Sequence, residues 1–176
     1  MTTHSARDVQ EALPTVRLLL DRADPMLALA ARALLSLALA LMGDWAAAQR
    51  EAASVLEYPF TACQSVAFGV LALAALHGGR PADALDHAEQ GARVALRGIR
   101  VMITAESYHH LARAEALHAL GRFPEAHAAM RDARNRILNI ADTLDETTLR
   151  ESFLTNVDVN VRTLTLASEW LDENAD

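Results

Sequence analysis

The 176-residue sequence contains no lysine, because all 16 of its basic residues are arginine. A Schiff-base lysine, a pyridoxal-phosphate anchor and a phosphate-loop lysine are therefore excluded. The single cysteine, Cys63, excludes an intramolecular disulfide and a cysteine-based zinc cluster. Only 7 glycines leave little room for a glycine-rich nucleotide loop. The 23 acidic residues give a net charge of −7, which argues against nucleic acid as a partner. No cofactor is expected.

Targeting signals are also missing from the sequence. The first twenty residues have Arg7, Asp8 and Glu11 among the apolar positions, unlike the basic start and apolar block of a signal peptide. The run over 26–42 is almost entirely apolar or small, but Arg32 near its middle would be costly in a membrane. A helix buried on most sides is the better interpretation. We therefore expect a cytoplasmic protein with no membrane partner.

Three short segments share one pattern: a glycine, a polar residue, a bulky residue or proline, two variable positions and an alanine. The glycines are Gly43, Gly79 and Gly121, which lie 36 and 42 residues apart. The pattern predicts helical hairpins, in which the glycine ends one helix in a left-handed turn and a capping residue or proline starts the next. The alanines five positions later are expected where the paired helices cross: Ala48, Ala84 and Ala126.

The rest of the chain agrees with helices throughout. No stretch shows sustained two-residue alternation, so no sheet is predicted. Asp44 is predicted to cap the helix that begins at Trp45. We expect a single all-α domain over 1–176. It would comprise an N-terminal helix over 5–24, repeats over 25–59, 60–98 and 100–144, and a C-terminal cap over 145–172.

These segments resemble the tetratricopeptide repeat, which has small residues at its eighth and twentieth positions. The middle segment departs from the family pattern, with Pro81 in place of the turn aromatic and Gly91 in place of the usual alanine. The resemblance implies a right-handed α-solenoid of about three hairpins with capping helices at both ends. The small residues that carry it are Ser36, Ala72 and Ala114 at the eighth position, and Ala48, Ala84 and Ala126 at the twentieth.

The tail carries a second resemblance. The segment over 150–157, followed by Asn160, Arg162 and Trp170, is similar to the end of the tetratricopeptide region in large bacterial ATPase, cyclase and transcription-activator regulators. The chain is accordingly a free-standing repeat protein or a piece of a larger regulator. We also predict that 159–171 forms a helix packed on the third repeat, with Trp170 largely buried.

Few residues suggest a catalytic or metal-binding site. Two Glu-x-x-His pairs have the spacing of some helical iron ligands, namely Glu106 with His109 and Glu115 with His118. Nine residues on a helix turn through about 900°, so the two pairs face opposite sides and cannot share a dimetal centre. Cys63 is interpreted as a small buried hydrophobic residue. No catalytic or metal-binding residue is predicted. Asp83 and His87, four residues apart, are expected to form a surface pair.

In the resembled fold, the first helix of each repeat lines a concave groove. Most of the residues at those positions here are apolar, and an exposed apolar groove needs a cover. The cover could be a terminal helix, a second copy in a homodimer, or a partner helix. The resemblance implies a non-enzymatic protein–protein interaction or regulatory scaffold module; the alternative is a small-ligand or peptide sensor domain of a bacterial regulator. The expected partner-binding residues are Ala33, Leu34, Leu37, Val66, Val70, Leu73, Tyr108, Leu111, Glu115 and His118.

Overall fold

The structure, a computed structural model, describes residues 24–59, 61–95 and 103–172, together with positions 11, 13–16, 18 and 20. No strand occurs among the described residues, and the predicted all-α helical-repeat fold is confirmed. Much of the predicted N-terminal helix over 5–24 lies outside the described residues. Eight helices have defined bounds: α1 (Pro25–Leu41), α2 (Trp45–Leu56), α3 (Thr61–His77), α4 (Pro81–Ala95), α5 (Ile103–Ala119), α6 (Phe123–Ala141), α7 (Thr147–Thr155) and α8 (Asp158–Asp172).

The three glycine turns share one geometry, which explains the repeated sequence pattern. Gly43, Gly79 and Gly121 have φ of 82°, 68° and 72°, in the left-handed region that glycine enters at low cost. In each turn the glycine N–H bonds to the carbonyl three residues earlier. The next N–H bonds to the carbonyl five residues earlier, and all six distances are 2.9 or 3.0 Å. These Schellman-type bonds satisfy the last carbonyls of the first helix and fix the hairpin.

Short-range polar contacts start the second helix of each hairpin. Asp44 caps α2 as predicted, because its carboxylate accepts a hydrogen bond of 3.1 Å from an N–H in the first turn. Arginines stand at the same position in the next two hairpins. Arg80 donates to Asp83 at 2.9 Å, and Arg122 donates to Glu125 at 2.8 Å. Exposed ion pairs contribute little stability, so the glycine geometry matters more for the turn.

The helices form an inner and an outer layer. The first helices of the hairpins, α1, α3 and α5, contact one another in succession. Each second helix packs against its own hairpin partner and the first helix that follows. Within the described part of the chain, α2, α4 and α6 make no contact with one another. The stack is therefore tighter on the side of the first helices, which makes that side concave.

Alanine occupies the places where helices cross most closely. Ala48, Ala84 and Ala126 have no exposed surface, as the repeat pattern predicts. An alanine methyl lets two helix axes approach to the lower end of the usual separation of about 8–10 Å. Further buried alanines from successive helices form small clusters between the hairpins: Ala72, Ala88 and Ala112 in one, and Ala75, Ala84 and Ala116 in the other.

Gly91 departs from the repeat pattern because His109 takes the space that an alanine would need. A methyl group at Gly91 would lie 3.3 Å from Nδ1 of His109 and 3.2 Å from Cβ of Phe68. His109 is 1% exposed, and neither ring nitrogen has a hydrogen-bond partner among the described residues. Gly91 therefore provides room for a neighbouring side chain, whereas the turn glycines provide a backbone conformation.

The apolar run over 26–42 forms α1 and the residue after it. Many of its side chains are buried against α2 and α3, although Leu27 and Leu34 remain 50% and 43% exposed. The hydroxyl of the buried Ser36 donates to the carbonyl of Ala33 at 2.7 Å, so this polar group is satisfied within the helix. Among the described helices, none has the length and apolar character needed to cross a membrane.

The tail extends the inner layer by one helix. α8 contacts both α5 and α6, just as α3 contacts α1 and α2. It therefore occupies the position that the first helix of another hairpin would have. The buried Asn160 donates from Nδ2 to the carbonyl of Phe153 at 2.9 Å, which ties α8 to α7. The predicted helix over 159–171 is confirmed, and Trp170 packs partly buried against the core of the third hairpin.

Ala126 and Ala128 test the register of the third hairpin. Ala126→Leu is expected to lower the free energy of unfolding by about 1–3 kcal/mol, because the added atoms overpack a helix crossing. Ala128 is exposed on the same helix. Its replacement by leucine should change stability by less than about 0.5 kcal/mol. Thermal unfolding followed by circular dichroism measures both effects, and equal losses at the two positions would contradict this register.

Candidate functional site: the inner groove

A cavity of about 600 Å³ lies on the concave side of the stack. We call it the inner groove. It is bounded by the C-terminal ends of α1 and α3, the start of α2, and the facing sides of α5 and α8. Its volume is within the range of about 300–1,000 Å³ that is usual for ligand sites. The lining residues are Leu41, Trp45, Leu73, Leu76, His77, Tyr108, Leu111, Glu115, His118, Ala119, Asp158, Val159, Arg162, Leu166 and Trp170.

One end of the inner groove is aromatic. Trp45 stacks on His77 with ring centroids 4.7 Å apart, and Trp170 stacks on His118 at 4.3 Å. The first pair joins α2 to α3, and the second joins α5 to α8. Each stack fixes an indole ring by contact with an imidazole from a neighbouring helix. The groove therefore ends between two ordered aromatic pairs, surrounded by leucines.

An ion pair crosses the middle of the inner groove. Arg162 of α8 donates from Nε to Oε1 of Glu115 at 2.7 Å and from Nη2 to the same oxygen at 2.5 Å. The Glu115 side chain is only 13% exposed, whereas that of Arg162 is 62% exposed. Burying a carboxylate is costly unless it is paired, and Arg162 supplies the pair. This pair holds α8 to α5 and leaves no net charge at its own position.

The opposite end of the inner groove is polar. Tyr108 lies near the start of α5, and its pKa is raised to about 12 by burial and, to a smaller extent, by the negative charge of Asp158. The phenol is therefore a neutral hydrogen-bond donor at ordinary pH. Within the described part of the chain, no hydrogen bond or ion pair to the Asp158 carboxylate is found. Asp158, an exposed residue in the first turn of α8, thus supplies a negative charge that has no side-chain partner among the described residues and is offset only in part by the positive end of the helix dipole.

The order of these contacts gives the length and direction of the inner groove. Tyr108, Glu115 and His118 follow one another on α5, and their neighbours Asp158, Arg162 and Trp170 follow in the same order on α8. The two helices are therefore parallel. At 1.5 Å per residue, the ten residues from Tyr108 to His118 span about 15 Å. The polar and aromatic ends are separated by roughly that distance.

The structure places the predicted partner-binding residues in two groups. Leu73, Tyr108, Leu111, Glu115 and His118 line the inner groove. The remaining five do not line it: Ala33, Leu34, Leu37, Val66 and Val70.

Three of those five predictions require correction. Ala33, Val66 and Val70 are 1%, 2% and 0% exposed, because the contacts between α1, α2 and α3 cover them. A partner cannot reach these side chains in this arrangement. Leu34 remains 43% exposed, and Leu37 is half-buried against the core of the first two hairpins.

Several residues of the groove were not predicted from the sequence to lie there. Trp45 was predicted only as the start of a helix, and His77 was assigned no role. Asp158, Arg162 and Trp170 come from the tail, beyond the three repeats. The signal that could have found Arg162 and Trp170 is the tail motif, in which both residues occur.

The candidate catalytic and metal-binding pairs are not assembled by the described residues. No group of three or more His, Cys, Asp or Glu side chains that could hold a metal ion occurs among them. Asp83 bonds to Arg80, so its predicted pairing with His87 is wrong. Cys63 is buried, and burial raises the pKa of its thiol. A raised pKa reduces the thiolate that a nucleophilic cysteine needs.

Comparison with protein families identifies the repeats. A model of the tetratricopeptide repeat matches residues 65–90 and 107–132, which fall within the second and third hairpins. These two matches support a tetratricopeptide-like family, whose repeats generally mediate protein–protein interaction or scaffolding. All-helical folds of this kind are typically non-enzymatic scaffolds. Neither curated proteins nor solved structures give a significant match to the chain.

Acid is expected to destabilise the fold through His109. Burial, assisted by His110, lowers the pKa of His109 from 6.5 to about 3. Between these values the unfolded chain binds a proton that the folded chain does not. The free energy of unfolding should therefore fall with falling pH, by up to about 1.4 kcal/mol per pH unit from this group. Urea unfolding of His109→Phe should show a shallower acid slope than that of the parent protein. An unchanged slope in His109→Phe would refute this assignment.

The packing of α8 can be tested with two valines of that helix. Val159 is 3% exposed and Val161 is 39% exposed. Val159→Asp should lower the free energy of unfolding by roughly 2 kcal/mol or more, because it buries an unpaired polar group. Val161→Asp should be tolerated within about 0.5 kcal/mol. Thermal unfolding distinguishes the two outcomes, and equal tolerance would show that α8 is not docked on the third hairpin.

Proposed function

We propose that this chain is a non-enzymatic protein-interaction module that binds an apolar helical segment of a partner in the inner groove. The observation that supports this function is the cavity of about 600 Å³ on the concave side, lined largely by leucine and aromatic side chains. Five of the residues expected from the sequence to contact a partner lie in its lining. Tetratricopeptide repeats commonly bind protein partners, which agrees with this use of the groove.

The dimensions of the inner groove suit a helix. A length of about 15 Å corresponds to nearly three turns of an α-helix. In helix-in-groove recognition, an amphipathic helix lays its apolar face into such a depression. Leu73, Leu76 and Leu166 would form the floor and walls that receive that face. Burying this apolar surface is the favourable contribution that a partner helix would gain from binding.

The arrangement of the polar residues supports a binding rather than a catalytic role. Glu115 is held by Arg162, His109 is buried with no hydrogen-bond partner in the part of the chain that the structure describes, and Cys63 is buried in the core. Acyl or phosphoryl transfer needs a nucleophile, a base and an orienting group within hydrogen-bond reach of one another. These residues do not supply that set.

The tail segment over 150–157, with Asn160, Arg162 and Trp170 after it, further supports a role in a bacterial signalling or transcription regulator that acts in the cytoplasm.

A small-ligand sensor is the second candidate function. The observation that favours it is the aromatic end of the groove, where two stacked indole–imidazole pairs flank a concave apolar space. Drug-sized ligands are usually bound in pockets of this volume and composition. Native mass spectrometry separates the two functions, because a sensor would retain a small molecule of defined mass that a Leu73→Glu variant loses.

Selection of peptides tests the interaction function directly. The protein, immobilised on a surface, would be used to select from a displayed library of random helical peptides. Selected peptides should carry apolar residues at helical spacing. Leu73→Glu should weaken their binding at least about tenfold, because it places a charge in the apolar lining.

The matched control is Leu138→Glu. Leu138 is 38% exposed on the outer helix α6, away from the inner groove. This variant should bind the selected peptides like the parent protein. Equal binding by both variants would show that partners use another surface.

If the partner is a second copy of the chain, size-exclusion chromatography should show a parent dimer that Leu73→Glu converts to a monomer.

A further inference from the structure

We infer that the inner groove selects a partner helix bearing a basic side chain, with arginine preferred to lysine, about eleven residues from a large apolar anchor. This inference rests on the proposed interaction function and specifies the chemistry of the partner. The anchor occupies the aromatic end, and the basic side chain meets Asp158 at the polar end.

The aromatic end of the groove suits an uncharged anchor. Trp45 and Trp170 line it, each backed by a stacked imidazole, and Leu41 and Leu73 complete the surroundings. The Glu115 carboxylate in the middle is already bonded twice by Arg162. Arg162 therefore offsets the charge of this carboxylate, which weakens its attraction for a partner's cation. A large apolar side chain would gain the most by filling this end.

The polar end of the groove is complementary to a cation. Among the charged residues of the lining, Glu115 and Arg162 neutralise each other, which leaves the charge of Asp158. The chain as a whole has a net charge of −7, so the wider field also attracts a basic segment. The phenol ring of Tyr108 beside Asp158 adds an aromatic face that a cation can contact.

Arginine fits this end better than lysine. A guanidinium is planar, so it can donate two hydrogen bonds to one carboxylate and stack on an aromatic ring. An ammonium group is a point charge without that geometry. The pairing of a carboxylate with a phenol at the same end therefore favours the planar cation.

The separation of the two ends sets the spacing in the partner. The distance is about 15 Å measured along α5 from Tyr108 to His118, and about 18 Å along α8 from Asp158 to Trp170. Residues eleven apart on a helix lie on nearly the same face and are separated by about 16.5 Å. A partner helix with this spacing can place its anchor and its basic side chain at the two ends simultaneously.

A synthetic peptide tests the inference. It would be a helix of about sixteen residues in an alanine–glutamine background, with a tryptophan near one end, leucines four and seven residues later, and an arginine eleven residues later. Replacing the arginine with citrulline removes the charge and keeps the shape. At low salt this change should weaken binding at least about fivefold, as measured by fluorescence anisotropy. A lysine peptide should bind with intermediate affinity.

The Asp158→Asn variant tests the protein side of the same contact, with Asp145→Asn as the matched control. Asp145 is exposed in the connection between α6 and α7, outside the inner groove. Asp158→Asn should bind the arginine and citrulline peptides equally, whereas Asp145→Asn should retain the parent preference. A preference for arginine that persists unchanged in Asp158→Asn would overturn the inference. The peptide substitutions leave the protein intact, so loss of the preference is measurable even if Asp158→Asn loosens α8.

The outcomes separate this inference from the proposed function. Binding that depends on the peptide's tryptophan and on Leu73, but not on its arginine, would overturn the cation preference and leave the interaction function in place. No binding of the peptide up to about 1 mM, a free energy of roughly −4 kcal/mol, would overturn the inference. The library selection with Leu73→Glu would still decide the interaction function on its own.

Discussion

Close approach of helices at alanine is the constraint on which the rest of this structure depends. Ala48, Ala84 and Ala126 occupy equivalent crossings in three hairpins, each without exposed surface. A methyl group is the largest side chain that such a crossing accepts without strain. Because the first helices contact one another and the second helices do not, the same close packing also bends the stack. The concave side on which the groove lies follows from this difference in contacts between the two layers.

The contact between the second and third hairpins shows how helices pack closely where one of the side chains is large. The ring of His109 lies against Gly91 of α4, where the absence of a methyl group leaves room for it. Burying this ring has a cost, because its two nitrogens have no hydrogen-bond partners among the described residues. A histidine in this position is held neutral, and this ties the stability of the helical stack to pH.

The tail helix α8 forms one side of the inner groove. α8 takes the place of a further first helix, and Arg162 and Trp170 attach it to Glu115 and His118. The same contacts that dock the helix also line the cavity. In the ion pair between Glu115 and Arg162, a positive and a negative charge offset each other. Asp158 is then the remaining charged residue of the lining, at the polar end of the groove. The residues that dock α8 are therefore also residues that line the groove.

The sequence by itself determined the helical class, the three glycine turns and the buried alanines, because these depend on local backbone preference and on repeated spacing. It also identified Leu73, Tyr108 and Glu115 as groove residues by their position in the repeat. It wrongly included Val66 and Val70, since the repeat position alone does not tell how far a neighbouring helix covers a side chain. Only the tertiary structure decided the ends of the groove, where residues distant in sequence meet: His77 with Trp45, and Trp170 with His118. Such contacts depend on how the helices are stacked, which spacing within one helix does not encode.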